Sequence, residues 1–299
     1  EFILRPGDQP VEPFSQRGGR YVIFCLHSPH AVTLALDFSF TASSYPVSAR
    51  PIAGLDAGLQ EIEALCWRTL HSCLQDGFVD SVWRESSQWL GDCVTQAFAL
   101  AAVSDDARPL RRAITMAAQG AYPDGVLPSV LPGEVHAYTV VDYNFSWVEL
   151  LDIYAHHEGA TDQAELLSSV WPALCKMLER FDADRGNDGL IRSQAGRRLF
   201  LDWSGVDRRE PSLTYNGRFL HALIIASRLA QSIGDHDTAR IWNGRAERLR
   251  AAMIAGFKPD TAWNENTHGT PASQLGLALV LLTDCASGSG TAALCEKII

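Results

Sequence analysis

The sequence predicts a mainly α-helical fold in which helix pairs close into a ring, an (α/α) toroid, behind a short strand-rich N-terminal stretch. Three observations predict it. Apolar residues recur at three- and four-residue steps over most of the chain after residue 56. The connections between these stretches alternate between short and long. Helix pairs therefore recur at about 50–55 residues, as in stacked hairpins whose long loops gather on one face. An open solenoid has the same period, but an array keeps a consensus from repeat to repeat, and this chain does not.

Taken in order, residues 1–50 differ from the rest. Arg20-Tyr-Val-Ile-Phe-Cys-Leu26 and Ala31-Val-Thr-Leu-Ala-Leu-Asp-Phe-Ser-Phe40 are rich in β-branched and aromatic residues between Gly and Pro punctuation, which predicts two strands. Two strands do not make a stable sheet alone, so they are expected to finish a β-domain that begins earlier. Asp56 is the expected N-cap of the first helix, with Leu59, Ile62, Leu65, Leu70 and Cys73 on its apolar stripe and Gly77 as its stop. Further helices are expected over 91–102, 109–119, 142–157, 163–182, 215–232, 237–257, 273–283 and 291–299. The long connections, near 76–90, 120–141, 183–214 and 258–272, hold many of the Trp, Asp, Asn and Pro residues.

Composition narrows the partners. With 299 residues, 46% of them hydrophobic, the chain can bury a sizeable core. Its longest apolar run, Leu275 to Leu282, is far short of the roughly 20 residues of a membrane span. A net charge of −10 argues against nucleic acid or an anionic membrane as partner. The seven Cys (25, 66, 73, 93, 175, 285, 295) form no CxxC pair and are expected to be buried free thiols, with neither disulfide nor zinc. His156-His157-Glu158 is no metal signal, because adjacent helical residues diverge by about 100°. No cofactor or metal is expected.

The densest chemistry lies in the first long loop: Asp80-Ser-Val-Trp-Arg-Glu-Ser-Ser-Gln-Trp-Leu-Gly-Asp92. Its carboxylates and Arg suit vicinal hydroxyls, its Trp faces suit the C–H face of a pyranose, and one carboxyl can serve as general acid. Arg84 favours the ionised form of Glu85, whereas enclosure between Trp83 and Trp89 favours the protonated one. Composition alone leaves the cluster open between a sugar site and a solvated helix start. Glu134 and His136 in the second long loop could touch a ligand or simply be solvated, and Asp207-Arg-Arg-Glu210 reads as a solvated charge run.

The cluster resembles the motif of glycoside hydrolase family 78, the α-L-rhamnosidases, of the form Asp-Cys-Pro-x-Arg-Glu…Trp-Thr-Gly-Asp. This chain matches it at Asp80, Arg84, Glu85, Trp89, Gly91 and Asp92, and departs at Ser81, Val82 and Leu90. The resemblance continues in order through Gly18-Gly19-Arg20-Tyr21, Gln119 to Pro128, Asp142 to Val148, His157 to Asp162, Asp202-Trp203 and Asn216 to Gly234. It implies an (α/α)6 toroid behind β-sandwich domains, acting on terminal α-L-rhamnose with inversion. Glu85 would be the general acid, with Asp80, Arg84 and Asp92 on the sugar hydroxyls and Trp89 and Trp203 lining the pocket. Asp202 joins that lining. Tyr143 and Trp147, at the opening of the helix over 142–157, are further candidates for sugar contact, with core packing as their alternative, as helix capping is for Asp142.

Inversion needs a second carboxylate, which in the family is a Glu on a later loop. The resemblance thus implies residues 1–50 as the last strands of a β-sandwich domain with its linker. Residues 51–299 would be a catalytic domain truncated at its C-terminus, with about nine of twelve helices and no general base. The expected partner is a rhamnose-containing carbohydrate. Two rivals stay open: an (α/α)6 glycosidase for another sugar, and a non-catalytic carbohydrate-binding relative.

Overall fold

The computed structural model describes residues 3, 5–10, 18, 21–33, 35, 45–132, 139–158, 160–201, 203–286 and 289–298. Among the described residues it forms nine helices: α1 (Ala57–Cys73), α2 (Leu90–Val103), α3 (Arg108–Gln119), α4 (Tyr143–His156), α5 (Gln163–Asp182), α6 (Leu213–Ser232), α7 (His236–Phe257), α8 (Gln274–Leu282) and α9 (Ser289–Ile298). Two short strands, β1 (Gln88–Trp89) and β2 (Val130–Leu131), pair antiparallel with Trp89 opposite Val130.

Local chemistry explains where the helices start. Asp56 accepts from the Leu59 N–H at 2.9 Å, and Ser212, Asp235 and Ser273 cap α6, α7 and α8 in the same way. α1 ends at Cys73, short of Gly77, whose missing Cβ leaves room for the Gln88 carboxamide.

The helices form two layers. α2 packs on α4, α4 on α6 and α6 on α8, so these are the inner helices, with α1, α3, α5 and α7 outside them. α6 is buried almost all round, whereas α1 leaves Leu59, Ile62 and Leu65 exposed. Phe145 of α4 sits at the middle of the core, 4.9 Å from the Phe181 ring and 5.3 Å from Phe219. Each inner helix follows a long loop, and the outer helices α3, α5 and α7 each follow a short turn. The N-termini of α2, α4, α6 and α8 therefore share one end with the long loops, and helix dipoles make that end favourable for anionic groups.

Three expectations change. Residues 21–33 are exposed and form no strand, while Arg20 and residues 34 and 36–40 of the two expected strands lie outside the described residues. All seven cysteines are free, but only Cys73, Cys93 and Cys285 are buried. The Asp207–Glu210 run is not simply solvated: Asp207 accepts from Arg209 and from the Thr270 hydroxyl, and Glu210 accepts from the Ser193 N–H at 2.6 Å. No helix among the described residues is long and apolar enough to cross a membrane.

The last long loop is fastened by one buried carboxylate. Glu265 Oε1 accepts from the Thr214 N–H at 3.1 Å and the Ser212 hydroxyl at 3.3 Å, while Oε2 accepts from the Ser273 N–H at 3.0 Å and the Ser273 hydroxyl at 2.6 Å. It thereby serves the first turns of both α6 and α8. Glu265→Ala should destabilise the fold by about 2–4 kcal/mol, since the buried Thr214 and Ser212 donors and the half-buried Ser273 donors lose their acceptor. Chemical denaturation checks this, and a loss below about 0.5 kcal/mol would show that the donors find other partners.

Candidate active site

The first long loop is closed on itself before it reaches α2. Asp80 Oδ1 accepts from the Ser87 N–H at 2.9 Å, Oδ2 accepts from the Ser81 hydroxyl at 3.1 Å, and the Asp80 N–H donates to the Ser87 carbonyl. Ser81, one of the departures from the motif, thus has a structural role here. The ribbon of β1 and β2 then ties Trp89 to the second long loop, and the Leu90 N–H extends the tie to the Ser129 carbonyl.

Within this frame both carboxylate oxygens of Glu85 are engaged. Oε1 accepts from Arg84 Nη2 at 2.6 Å and Oε2 from the Trp89 indole N–H at 2.8 Å. The Glu85 side chain is about a third exposed, whereas that of Arg84 is mostly in solvent. Ser86, directly after Glu85, holds a left-handed φ of 50°, a conformation that costs a non-glycine residue energy.

Asp92 lies in the first turn of α2. Burial pushes its carboxyl above the ordinary value, the negative charge of Asp80 adds to this, and that of Glu85 adds less. The three carboxylates of the motif therefore share one electrostatic neighbourhood. Tyr143 belongs to it as well: burial, followed by the charges of Asp92 and Asp142, holds its phenol well above the usual range.

A row of rings leads away from Glu85. Trp89 meets Tyr143 edge-on at 6.1 Å, Tyr143 meets Phe200 at 5.8 Å, and Phe200 meets Trp203 at 5.1 Å. Gly91 permits the first of these contacts, since a Cβ there would stand 2.5 Å from the Tyr143 ring. Trp203 is 81% exposed, so the row ends in a ring open to solvent, and Trp83, two residues before Glu85, is exposed as well. Phe200 carries no motif and was not anticipated; the apolar triplet Leu199-Phe200-Leu201 inside a polar loop was its only signal.

The structure thus gathers Asp80, Glu85, Asp92 and Tyr143, with Arg84 and Trp89 bonded to Glu85, and reaches Trp203 through Phe200. It does not bring Trp147 there. Trp147 is 0% exposed and its indole N–H donates to the Ile114 carbonyl of α3 at 3.0 Å, so it is a core residue and not a sugar contact. Asp142 opens α4 but makes no capping bond; its side chain reaches the third long loop instead. Asp202, Glu134 and His136 lie outside the described residues. Among the described residues no group of three His, Cys, Asp or Glu could hold a metal ion.

The bacterial alpha-L-rhamnosidase 6 hairpin glycosidase domain matches residues 53–297. The fold is similar to the crystal structure of a GH78 family rhamnosidase of Bacillus sp. GL1, with a TM-score of 0.74 and 21% identity over 85% of this chain and 27% of that one. It is also similar to a rhamnosidase from Klebsiella oxytoca with rhamnose bound, with a TM-score of 0.73 and 18% identity over 85% and 49% of the two chains. A Streptomyces avermitilis α-L-rhamnosidase complexed with L-rhamnose gives a TM-score of 0.68 and 16% identity over 85% and 23%. The chain therefore spans between about a quarter and a half of the length of these relatives. No curated protein matches it.

The raised carboxyl of Asp92 has a consequence for stability. Folding takes up a proton between the unfolded value near 3.8 and the higher folded one, so stability falls as pH rises through that window and stays penalised above it. Asp92→Asn removes the penalty. Its thermal midpoint at pH 7 should equal or exceed the parent's by about 1–3 °C, with the advantage gone near pH 3. A variant markedly less stable at pH 7 would contradict the assigned cause.

Proposed function

This chain belongs to the bacterial alpha-L-rhamnosidase six-hairpin glycosidase family, and from that premise we propose that its long-loop face removes terminal, non-reducing α-L-rhamnose from glycosides or polysaccharides with inversion. Glu85 is the general acid. The observation that carries this reading is the seating of Glu85 between Arg84 and the Trp89 indole, beside Asp80 and Asp92 and at the head of a row of aromatic rings. Residues 1–50 we assign, on the resemblance alone, to the end of a preceding β-sandwich domain and its linker.

In the reaction, Glu85 gives its proton to the glycosidic oxygen as the bond from that oxygen to the anomeric carbon breaks. A water attacks the opposite face of the sugar and passes a proton to a second carboxylate, about 6.5–9.5 Å from the first in an inverting site. Asp80, Arg84 and Asp92 hold hydroxyls through charge-assisted bonds, worth about 1.5–3 kcal/mol each. Trp89, Tyr143 and Trp203 offer apolar faces to the ring and its methyl group, and Asp202 belongs to the same lining.

One observation favours the alternative of a sugar-binding relative without hydrolysis. Both Glu85 oxygens accept hydrogen bonds from N–H donors, as in a carboxylate that only binds, whereas a general acid must also donate from one of them. Glu85→Gln separates the two readings. In the full-length protein it should lower kcat on an aryl α-L-rhamnoside by about 10²–10⁴ while leaving rhamnose affinity within a few-fold. Parental turnover in the variant would remove the acid role. A folded parent that binds rhamnose but cleaves no rhamnoside would establish the binder.

A further inference from the structure

The first turn of α4 does two jobs that neither the motif nor the ring row accounts for. Asp142 is 0% exposed. Its Oδ1 accepts from the Phe200 N–H at 2.9 Å, and its Oδ2 accepts from the Leu201 N–H at 3.1 Å and from Arg218 Nη1 of α6 at 3.1 Å. Arg218 Nη2 in turn donates to the Ser146 hydroxyl, one turn further along α4, at 2.6 Å. With these acceptors filled and no solvent access, Asp142 cannot meet a sugar.

What Asp142 holds is under strain. Leu201 has a φ of 61°, a left-handed conformation that a branched side chain adopts only when its surroundings impose it. The same turn is held from its other side by Arg208, whose Nε donates to the Phe200 carbonyl at 2.7 Å, and the Arg198 guanidinium lies 5.6 Å from the Phe200 ring centroid. Just upstream, the Val141 N–H donates to the Arg198 carbonyl at 3.1 Å, so the segment entering α4 runs beside the segment entering the turn. The next residue along α4, Tyr143, places its ring between Trp89 and Phe200.

We infer that Asp142 is a positioning residue: through the Phe200 and Leu201 amides it fixes the strained turn that presents Trp203, and with Tyr143 it locks this wall to the loop bearing Glu85. The kinetic consequence rests on the proposed function; the structural one does not. Phe200 acts with Asp142, because its amide is the anchored group and its ring is the link between Tyr143 and Trp203.

Asp142→Asn keeps the shape but removes the charge and one acceptor. In the full-length protein, hydrogen exchange at the Phe200 and Leu201 amides should accelerate at least about ten-fold, with the amides of α4 and α6 unchanged. KM for an aryl α-L-rhamnoside should rise about ten-fold with kcat within about three-fold. Trp203→Ala should raise KM similarly, and adding Asp142→Asn to it should change KM less than about two-fold. Unchanged exchange at 200–201, acceleration spread evenly through α4 and α6, or multiplying KM effects would each overturn the inference. If Asp142→Asn does not fold, exchange in the parent decides: protection at 200–201 equal to that of α4 supports the anchor, and fast exchange overturns it. If the parent turns over no rhamnoside, the proposed function fails while the exchange result still decides the anchor.

Discussion

A carboxylate sealed from water costs the fold several kcal/mol unless both of its oxygens find donors and its charge a partner. Asp142 meets that demand with donors from two places that would otherwise be independent: two amides of an irregular turn and a guanidinium from the neighbouring inner helix. Losing any of them leaves a buried charge undercompensated. The turn before Trp203 is therefore tied to the contact between α4 and α6 and cannot drift as an ordinary surface loop does. The ring row depends on that tie, because Phe200 meets Tyr143 only while its backbone is held there.

The same solution recurs around the long-loop end. Asn144, also in the first turn of α4, accepts from the Leu127 N–H at 2.7 Å and holds the second long loop. Asn216 of α6 accepts from the Ile191 N–H at 2.8 Å and donates to the Ile191 carbonyl at 3.1 Å, holding the third. Glu265 joins the last long loop to the starts of α6 and α8. Long loops pay a large conformational entropy to be ordered, and buried polar side chains at inner-helix N-termini supply directional contacts that offset it. A rigid inner layer with clamped loops above it can keep scattered residues such as Glu85 and Trp203 in a fixed relation, as the proposed sugar site would require.

The helices were legible because their signals are local: apolar periodicity, with the Asp56 cap for α1, places the boundaries within about two residues except at the end of α1. The composition of the Asp80–Asp92 loop left a solvated helix start as open as a sugar site, and it was the resemblance to the rhamnosidase motif that singled the loop out. What stayed hidden depends on direction and distance. α4 is buried nearly all round, so no amphipathic contrast shows that Tyr143 faces the site while Trp147 faces α3. Asp142 read as a cap since position alone suggested one, and its true partners lie more than fifty residues away. Asp207 and Glu210 looked solvated for the same reason, with partners at Thr270 and Ser193 that no local pattern reveals.

If Glu85 delivers a proton to a departing sugar oxygen, the rate must depend on the leaving group in a way that its loss exposes. Hydrolysis by the full-length protein and by Glu85→Ala would be compared across rhamnosides whose leaving groups range from dinitrophenol to an alkyl alcohol. A lost general acid matters little for a leaving group that departs unprotonated and greatly for one that cannot. The variant should keep near-parental rates on the dinitrophenyl substrate and collapse on the alkyl one. An equal loss on both would contradict the acid role and leave Glu85 as a binding residue only.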